Sequence, residues 1–350
     1  MFNAFNWARK NLFATPLDWF LSLSVLVLIF WALPPVLNWL VFDATFFGTK
    51  REDCIGHGAC WVFVTSRMSQ FIYGFYPDDQ IWRVNITGAV FFASVIPLMF
   101  QRFPFKKYLM VFLLTLFPVF AFVMLVGGYL GLEEVETSKF GGLMLTLVIA
   151  VVGIVGSLPL GIALALGRRS SMPVVQKMCV TFIELWRGVP LITVLFMASV
   201  MLPLFLPRGM NFDKLLRALI GAMLFSAAYM AEVVRGGLQA IPNSQYEAAS
   251  ALGLGYWHSM MFVVLPQALK KVIPGIVNSF ISLFKDTTLV LIIGMFDLLG
   301  MIQTVSTDPE WLGYSMEGYV FAGAVFWVFC FTMSKYSQKL EKQLNTERRA

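Results

Sequence analysis

Long apolar runs without charged residues are the feature that most constrains the fold of this chain. One of them, WFLSLSVLVLIFWALPPVLNWLVF (Trp19–Phe42), exceeds the roughly 20 residues that a helix needs to cross a bilayer. Only 13% of the residues are charged, whereas soluble domains carry roughly 25%. These values exclude a large soluble core and predict an all-α polytopic membrane protein. We expect the first run to be retained, because it is longer than the roughly 7–15 apolar residues of a signal peptide.

Hydropathy predicts eight transmembrane helices separated by shorter polar segments. An even number of spans places both termini on one side of the membrane. The segments on that side hold twice as many Lys and Arg residues as the opposite segments, which predicts cytoplasmic termini by the positive-inside rule. The net charge of +6 is thereby explained without nucleic acid. The predicted spans are 18–42, 84–100, 108–131, 142–166, 188–206, 215–234, 273–296 and 316–334.

Several catalytic patterns are absent from the sequence. It contains no G-x-x-x-x-G-K-[ST] loop for ATP phosphates and no H-E-x-x-H metal motif. The two histidines, His57 and His258, are predicted on opposite sides of the membrane, which argues against a shared metal site. We therefore expect neither an enzyme nor a cofactor or metal, and any energy for transport has to come from another subunit.

A segment of mixed polarity separates the sixth and seventh predicted spans, at residues 240–271 on the cytoplasmic side. Ser244 and Glu247 have the spacing of a capping box, which predicts a short helix over 245–252 that ends at two glycines. A second helix is expected over Trp257–Leu265, before a proline interrupts the chain. From these residues alone, the segment is either a capped surface loop or a docking element.

The same segment, EAASALGLGYWHSMMFVVLP, resembles the EAA loop of ABC-importer permeases, with every fixed position of that pattern present. In that family the short helix docks on an ATPase subunit and couples ATP hydrolysis to transport. The resemblance assigns this coupling role to Glu247, Ala248, Ala249, Gly253, Leu265 and Pro266.

Three further stretches resemble the permeases of polar amino acids of the histidine, glutamine and arginine type. They are FIELWRGVPLITVLF (182–196), SAAYMAEVVRGGLQAIP (226–242) and NSFISLFKDTTLV (278–290). Together they cover about 140–335. The extra N-terminal spans and the outer loop resemble the longer permease subunit of general L-amino-acid transporters of Gram-negative bacteria.

This resemblance implies a type I ABC-importer core of five helices preceded by three extra helices. The expected division is an extension over 1–135 with a periplasmic loop at 43–83, a permease core over 136–335 and a cytoplasmic tail over 336–350. The implied partners are an ABC ATPase dimer, a second homologous permease and a periplasmic amino-acid-binding protein, at the bacterial inner membrane. The rival interpretations are a permease for another small polar solute and a membrane scaffold that translocates nothing.

A polar stripe in the seventh span marks a candidate translocation pathway. Lys285 and Asp286 lie 11 to 12 residues beyond Pro274, or roughly 16–18 Å along a helix and near the middle of the bilayer core. Charges at that depth usually face a cavity or a partner. Asn278 and Ser282 extend the stripe, which either lines the pathway or holds helices together. The full candidate set is Asn278, Ser282, Lys285, Asp286, Thr287, Tyr229 and Glu232.

Two smaller features leave alternatives open. Tyr229 and Glu232 either line the same cavity or stabilise the inner end of the sixth span, and Glu184 with Arg187 is expected to pair as a structural elbow. On the outer side, Cys54 and Cys60 flank IGHGA, and an oxidising periplasm favours a disulfide between them over two free thiols.

Overall fold

Helices form almost all of the regular structure, because backbone groups within a membrane have to bond inside their own segment. The structure is a computed structural model that describes residues 4–54, 56–100, 103–205, 207 and 212–346. Within these residues, strand pairing is limited to isolated bridges. The α-helices are α1 Ala4–Asn11, α2 Pro16–Leu37, α3 Trp61–Ser66, α4 Met68–Tyr73, α5 Ile81–Leu98, α6 Lys106–Val126, α7 Gly142–Arg168, α8 Pro173–Gly188, α9 Leu191–Phe196, α10 Leu202–Phe205, α11 Lys214–Gln239, α12 Asn243–Ala251, α13 Tyr256–His258, α14 Leu265–Asp286, α15 Leu298–Ser306 and α16 Ser315–Thr346.

Tighter and wider helical turns extend several of these helices. The π-helical turns are Asn38–Phe42, Met197–Met201 and Ser259–Val264. The 3-10 turns are Arg51–Asp53, Asp78–Gln80, Thr137–Lys139, Thr287–Ile293 and Pro309–Trp311.

Seven helical segments in the described part of the chain are long and apolar enough to cross a membrane, and a bent pair supplies an eighth candidate. They follow the order of the eight predicted spans, and this confirms the all-α polytopic fold. The bent pair is the fifth: α8 and α9–α10 meet at 102°, where Val189 and Pro190 leave the helix. Its expected end at Leu206 lies outside the described residues, as does the tail beyond Thr346.

The chain divides into two compact units, and the first joins Met1–Met68 with Ser306–Val320. In this unit the Phe63 ring packs on the buried Trp311. The Arg67 guanidinium bonds to the carboxylates of Asp308 and Glu310, each at 2.9 Å. The outer loop between the first two spans is thus held against the segment before the last span.

The two predicted disulfide partners also lie in this unit. Cys54 and Cys60 are bonded in the structure, with their Cα atoms 5.7 Å apart. The Cys60 backbone N–H donates to Oε1 of the buried Glu317 at 3.1 Å. The disulfide in the cell stays a prediction, and the hydrogen bond ties its position to the start of α16.

The second unit comprises Ser69–Val305 and Phe321–Ala350. Its largest helix contact joins α7 and α11, which approach closely because small residues face each other. A Cβ on Gly161, for example, would lie 2.6 Å from Cβ of Met230. One apolar cluster combines side chains from α7 and α11 with Tyr76, which precedes α5, and with Val84 and Leu125 of the second and third spans. Residues on both sides of the predicted boundary at 135 therefore contribute to one apolar cluster.

A glycine contact, formed by Gly74, Gly141 and Gly142, fixes the start of α7. Gly74 and Gly142 have positive φ angles of +69° and +61°, which favour glycine. A Cβ on Gly74 would lie 2.3 Å from Cα of Gly141, and one on Gly142 would lie 2.5 Å from the carbonyl oxygen of Phe71. Backbone from the segment before α5 therefore lies directly against the start of α7.

Candidate functional site

The short helix predicted at the EAA motif is α12, Asn243–Ala251. The predicted capping box is wrong: Pro242 is the N-cap, and no side chain caps the helix. The Gln245 N–H instead bonds to the Pro242 carbonyl at 3.1 Å. The helix therefore begins at Asn243, and Ser244 lies inside its first turn instead of at the N-cap. Gly253, with φ +73° and no atom within 4 Å of an added Cβ, ends the helix as predicted.

The two faces of α12 differ in burial. Ala249 is buried and Tyr246 partly buried against an apolar cluster from α7, α11 and α14, while Glu247 and Ala248 are exposed. Residues three apart lie on one face of a helix, which explains why Tyr246 and Ala249 turn inward together. The carboxylate of the motif therefore points away from the chain.

Large apolar side chains beside α12 lie uncovered. Leu252 is 80% exposed, Trp257 66% and Phe262 73%. We call these residues, together with Met261 at 65%, the loop patch. A cluster of exposed large apolar residues next to a short polar helix is typical of a surface that another subunit covers.

The chain does not break at Pro266, which corrects a second expectation. Helical structure runs without interruption from Tyr256 to Ile293, with the π-helical turn at Ser259–Val264 between α13 and α14. Pro266 is the second residue of α14 and follows directly after that π-helical turn, so its missing N–H falls beside a turn that is already irregular and does not end the helix. Trp257, Met261 and Phe262 of the loop patch are thus carried by the same continuous helix as the polar stripe.

Five charged residues form a network at the ends of α7, α8 and α11. Oε1 of Glu232 lies 2.7 Å from Arg168, and its Oε2 lies 2.8 Å from Arg235 and 3.8 Å from Arg187. Glu184 contacts Arg168 at 3.0 Å and Arg187 at 3.9 Å. The predicted pairing of Glu184 with Arg187 is therefore present, inside a larger network.

Glu232 is the centre of this network, with only 16% of its side chain exposed. Tyr229 joins it, since the Arg187 guanidinium lies 5.7 Å from the centre of its ring. Both carboxylate oxygens of Glu232 have cationic partners, so the contacts favour the helix-end alternative for this pair. Arg168 was missed from the sequence because both of its partners lie on other helices. Arg235 was missed although it lies three residues after Glu232 on α11, the same spacing that predicted the pair of Glu184 and Arg187.

The polar stripe of the seventh span occupies the end of α14. Asn278, Ser282 and Lys285 are exposed in this chain and Asp286 is partly exposed. Thr287 differs from them: it is buried, and its hydroxyl donates to the Phe284 carbonyl at 2.8 Å. Four of the predicted stripe residues are thus accessible, whereas Thr287 supports the helix end.

A separate open cavity of about 540 Å³ lies between α11 and the bent fifth segment. Its lining is apolar except for Arg217, whose guanidinium donates to the Ser199 carbonyl. None of the predicted site residues lines it. The apolar lining comprises, among others, Trp186, Met197, Phe205, Leu216 and Ile220.

A helical protein with eight candidate spans, an exposed E-A-A helix and a bare loop patch has the architecture of a membrane-embedded transport subunit. The chain belongs to the family of binding-protein-dependent transport system inner membrane components, whose sequence model matches residues 157–344. It is therefore a multi-pass permease component of such a system and not an enzyme. ATP hydrolysis belongs to a separate subunit.

Two relatives match along almost the whole chain. The inner membrane amino-acid ABC transporter permease protein YhdY of Escherichia coli K12 is 54% identical, with 98% of this chain and 93% of the relative covered. The glutamate/glutamine/aspartate/asparagine transport system permease protein BztC of Rhodobacter capsulatus is 40% identical, with 99% and 95% covered. The long N-terminal region thus occurs in these relatives as well.

A solved structure resembles the fold of part of the chain. It is the crystal structure of an amino acid ABC transporter with histidines, with 29% sequence identity and a TM-score of 0.51. The match covers 58% of this chain and 92% of the solved one. A permease fold of this type therefore accounts for somewhat more than half of the chain.

Proposed function

We propose that this chain imports L-amino acids as the permease subunit of an ABC transporter, and that the ATPase docks on α12 and the loop patch. The observation that carries this proposal is the juxtaposition of the exposed Glu247 with uncovered apolar side chains. A stable interface combines an apolar centre with polar residues around it. The amino-acid class rests on the relatives, two of which are named for amino-acid transport.

The arrangement around the membrane is part of the same proposal. Both termini and α12 face the cytoplasm, and the disulfide-bonded outer loop faces the periplasm, where a binding protein delivers the substrate. The extension over 1–135 precedes a permease core over 136–335. A second homologous permease completes the pathway, and the open apolar cavity beside α11 suits contact with another helix better than contact with a polar solute.

Reconstitution tests the proposal directly. The chain is co-expressed with the permease, ATPase and binding protein encoded beside its gene, purified through its own tag and placed in proteoliposomes. We expect the ATPase to co-purify and ATP to drive uptake of labelled L-glutamate or L-glutamine. Retention of the ATPase with uptake of a different polar solute would favour the alternative that the chain is a permease for that solute. Loss of both ATPase retention and uptake would leave only the alternative of a membrane scaffold.

The polar stripe of α14 supplies the proposed pathway. Asn278, Ser282, Lys285 and Asp286 present a charged and polar surface that zwitterionic amino acids can cross, whereas a lipid-facing surface would be apolar. In this proposal Tyr229 and Glu232 do not line the pathway but stabilise the inner end of the sixth span. Thr287 holds the backbone next to Asp286.

Asp286→Asn is expected to reduce uptake at least about tenfold, or about 1.4 kcal/mol in the barrier, without loss of ATPase retention. The change removes a charge at the accessible end of the stripe and keeps the side-chain shape. Initial uptake rates in proteoliposomes measure the effect. Asp78→Asn, at an exposed position before the second span, is the matched control, and equal uptake by the two variants would contradict the pathway.

A further inference from the structure

Two adjacent arginines at the end of α7 contact different parts of the site. Arg168 binds Glu184 of α8 at 3.0 Å and Glu232 of α11 at 2.7 Å. Arg169 instead donates to the hydroxyl of Tyr246 in α12 at 3.1 Å, with its guanidinium 5.7 Å from the centre of the tyrosine ring. The residue that belongs to the charged network and the residue that contacts α12 are therefore consecutive at the end of α7.

This contact matters because α7 has no short covalent route to α12. The chain enters α12 from α11 through Ala240–Pro242 and leaves it towards α14 through Leu252–Gly255. Both neighbours are thus joined to α12 by connections of only three and four residues. A second polar contact, from Gln267 Nε2 to Gln245 Oε1 at 3.0 Å, also reaches α14.

Tyr246 is suited to carry a displacement from α12 to α7. It lies on the inward face, opposite the exposed Glu247 and Ala248, so an ATPase docked on the outer face leaves its contact intact. A helix of nine residues is too short to be stable alone in water, so its position depends on its contacts with neighbouring helices. A guanidinium held by both a hydroxyl and an aromatic ring resists separation more than a single hydrogen bond does.

We propose that Arg168 and Arg169 form a junction that passes movement of α12 to α7 and, through Glu232 and Glu184, to α11 and α8. Tyr246 is the positioning residue on the α12 side. The inference rests on the proposed function, since it takes α12 as the element that the ATPase moves. It assigns to Tyr246 and Arg169 a role in transmission, distinct from the docking of the ATPase by Glu247 and the loop patch.

The test compares Tyr246→Leu and Tyr246→Phe in the reconstituted complex. Uptake, ATP hydrolysis with loaded binding protein and ATPase retention are measured on the same preparations. We expect normal ATPase retention with at least about a fivefold fall in L-glutamate taken up per ATP hydrolysed for Tyr246→Leu, which is the lower end of typical coupling between sites. Tyr246→Phe, which keeps the ring under Arg169, should lie between this variant and the wild type.

Tyr256→Leu is the control, because Tyr256 is a tyrosine of the same inner segment that is exposed and whose ring contacts Trp257 instead of an arginine. Unchanged uptake per ATP in both Tyr246 variants would overturn the junction. Loss of ATPase retention in either one would also overturn it, since Tyr246 would then serve docking. A wild-type complex without ATPase would show that the proposed function itself has failed, and this is visible before any variant is compared.

Discussion

Glu247→Arg is expected to remove the ATPase from the purified complex and to reduce ATP-driven uptake to background. Glu247 is exposed on the outer face of α12, next to the loop patch. Reversing a charge that faces a complementary surface costs several kcal/mol, and about 3 kcal/mol corresponds to a more than hundredfold loss of affinity. Quantitative co-purification through a tag on this chain measures the effect, with uptake as the second readout.

The matched control for that variant is Glu341→Arg. Glu341 is exposed on α16, within the predicted cytoplasmic tail, and so undergoes the same charge reversal on the same side of the membrane. We expect it to retain the ATPase. If Glu247→Arg retained the ATPase to the same extent, α12 would not be the docking element, and the loop patch would need another partner.

Glu232→Gln is expected to lower the stability of the folded chain by about 2–3 kcal/mol, since it leaves Arg168 and Arg187 with Glu184 as their acidic partner and removes the carboxylate that Arg235 contacts. Breaking a buried ion pair costs about 3–5 kcal/mol, and the residual exposure of these side chains reduces that figure. A fall in the thermal unfolding midpoint in detergent, followed by intrinsic fluorescence, measures the loss.

Glu184→Gln provides the comparison, because Glu184 contacts two of the same arginines but is 54% exposed. An exposed ion pair contributes only about 0–1 kcal/mol, so its midpoint should change little. The opposite pattern for Glu232→Gln, normal thermal stability with lost uptake, would show that Glu232 serves the pathway and not the network.

The spans were predictable from the sequence because bilayer thickness sets their length independently of tertiary packing. The bend in the fifth span was predicted only as an elbow near Glu184 and Arg187, and its angle of 102° could not be predicted, because the angle depends on the neighbouring helices. The capping box failed for a local reason: Pro242 starts the helix two residues before Ser244. Residue spacing identifies two side chains that could cap a helix, but the backbone conformation determines the residue at which the helix begins.

The candidate site was predictable only where it follows a sequence motif. Glu247 and Gly253 were found through their resemblance to the EAA loop, and Glu184 with Arg187 through helical spacing. Arg169 and Tyr246 are 77 residues apart in the sequence, and no local pattern links them. Contacts of this kind arise from the packing of α7, α11 and α12 against one another.

The glycine contact at the start of α7 has a consequence for modular engineering of this protein. Removing the first three spans to obtain a minimal permease would delete Gly74 and the Phe71 backbone, and would take from Gly142 the backbone that it packs against, while Gly141 would keep its contacts with Phe296 and Met301. It would also take Tyr76, Val84 and Leu125 from a shared apolar cluster. The segment from Gly74 to Leu125 is therefore part of the same packed unit as α7, and a version shortened to remove it would expose the start of α7 and one side of that cluster.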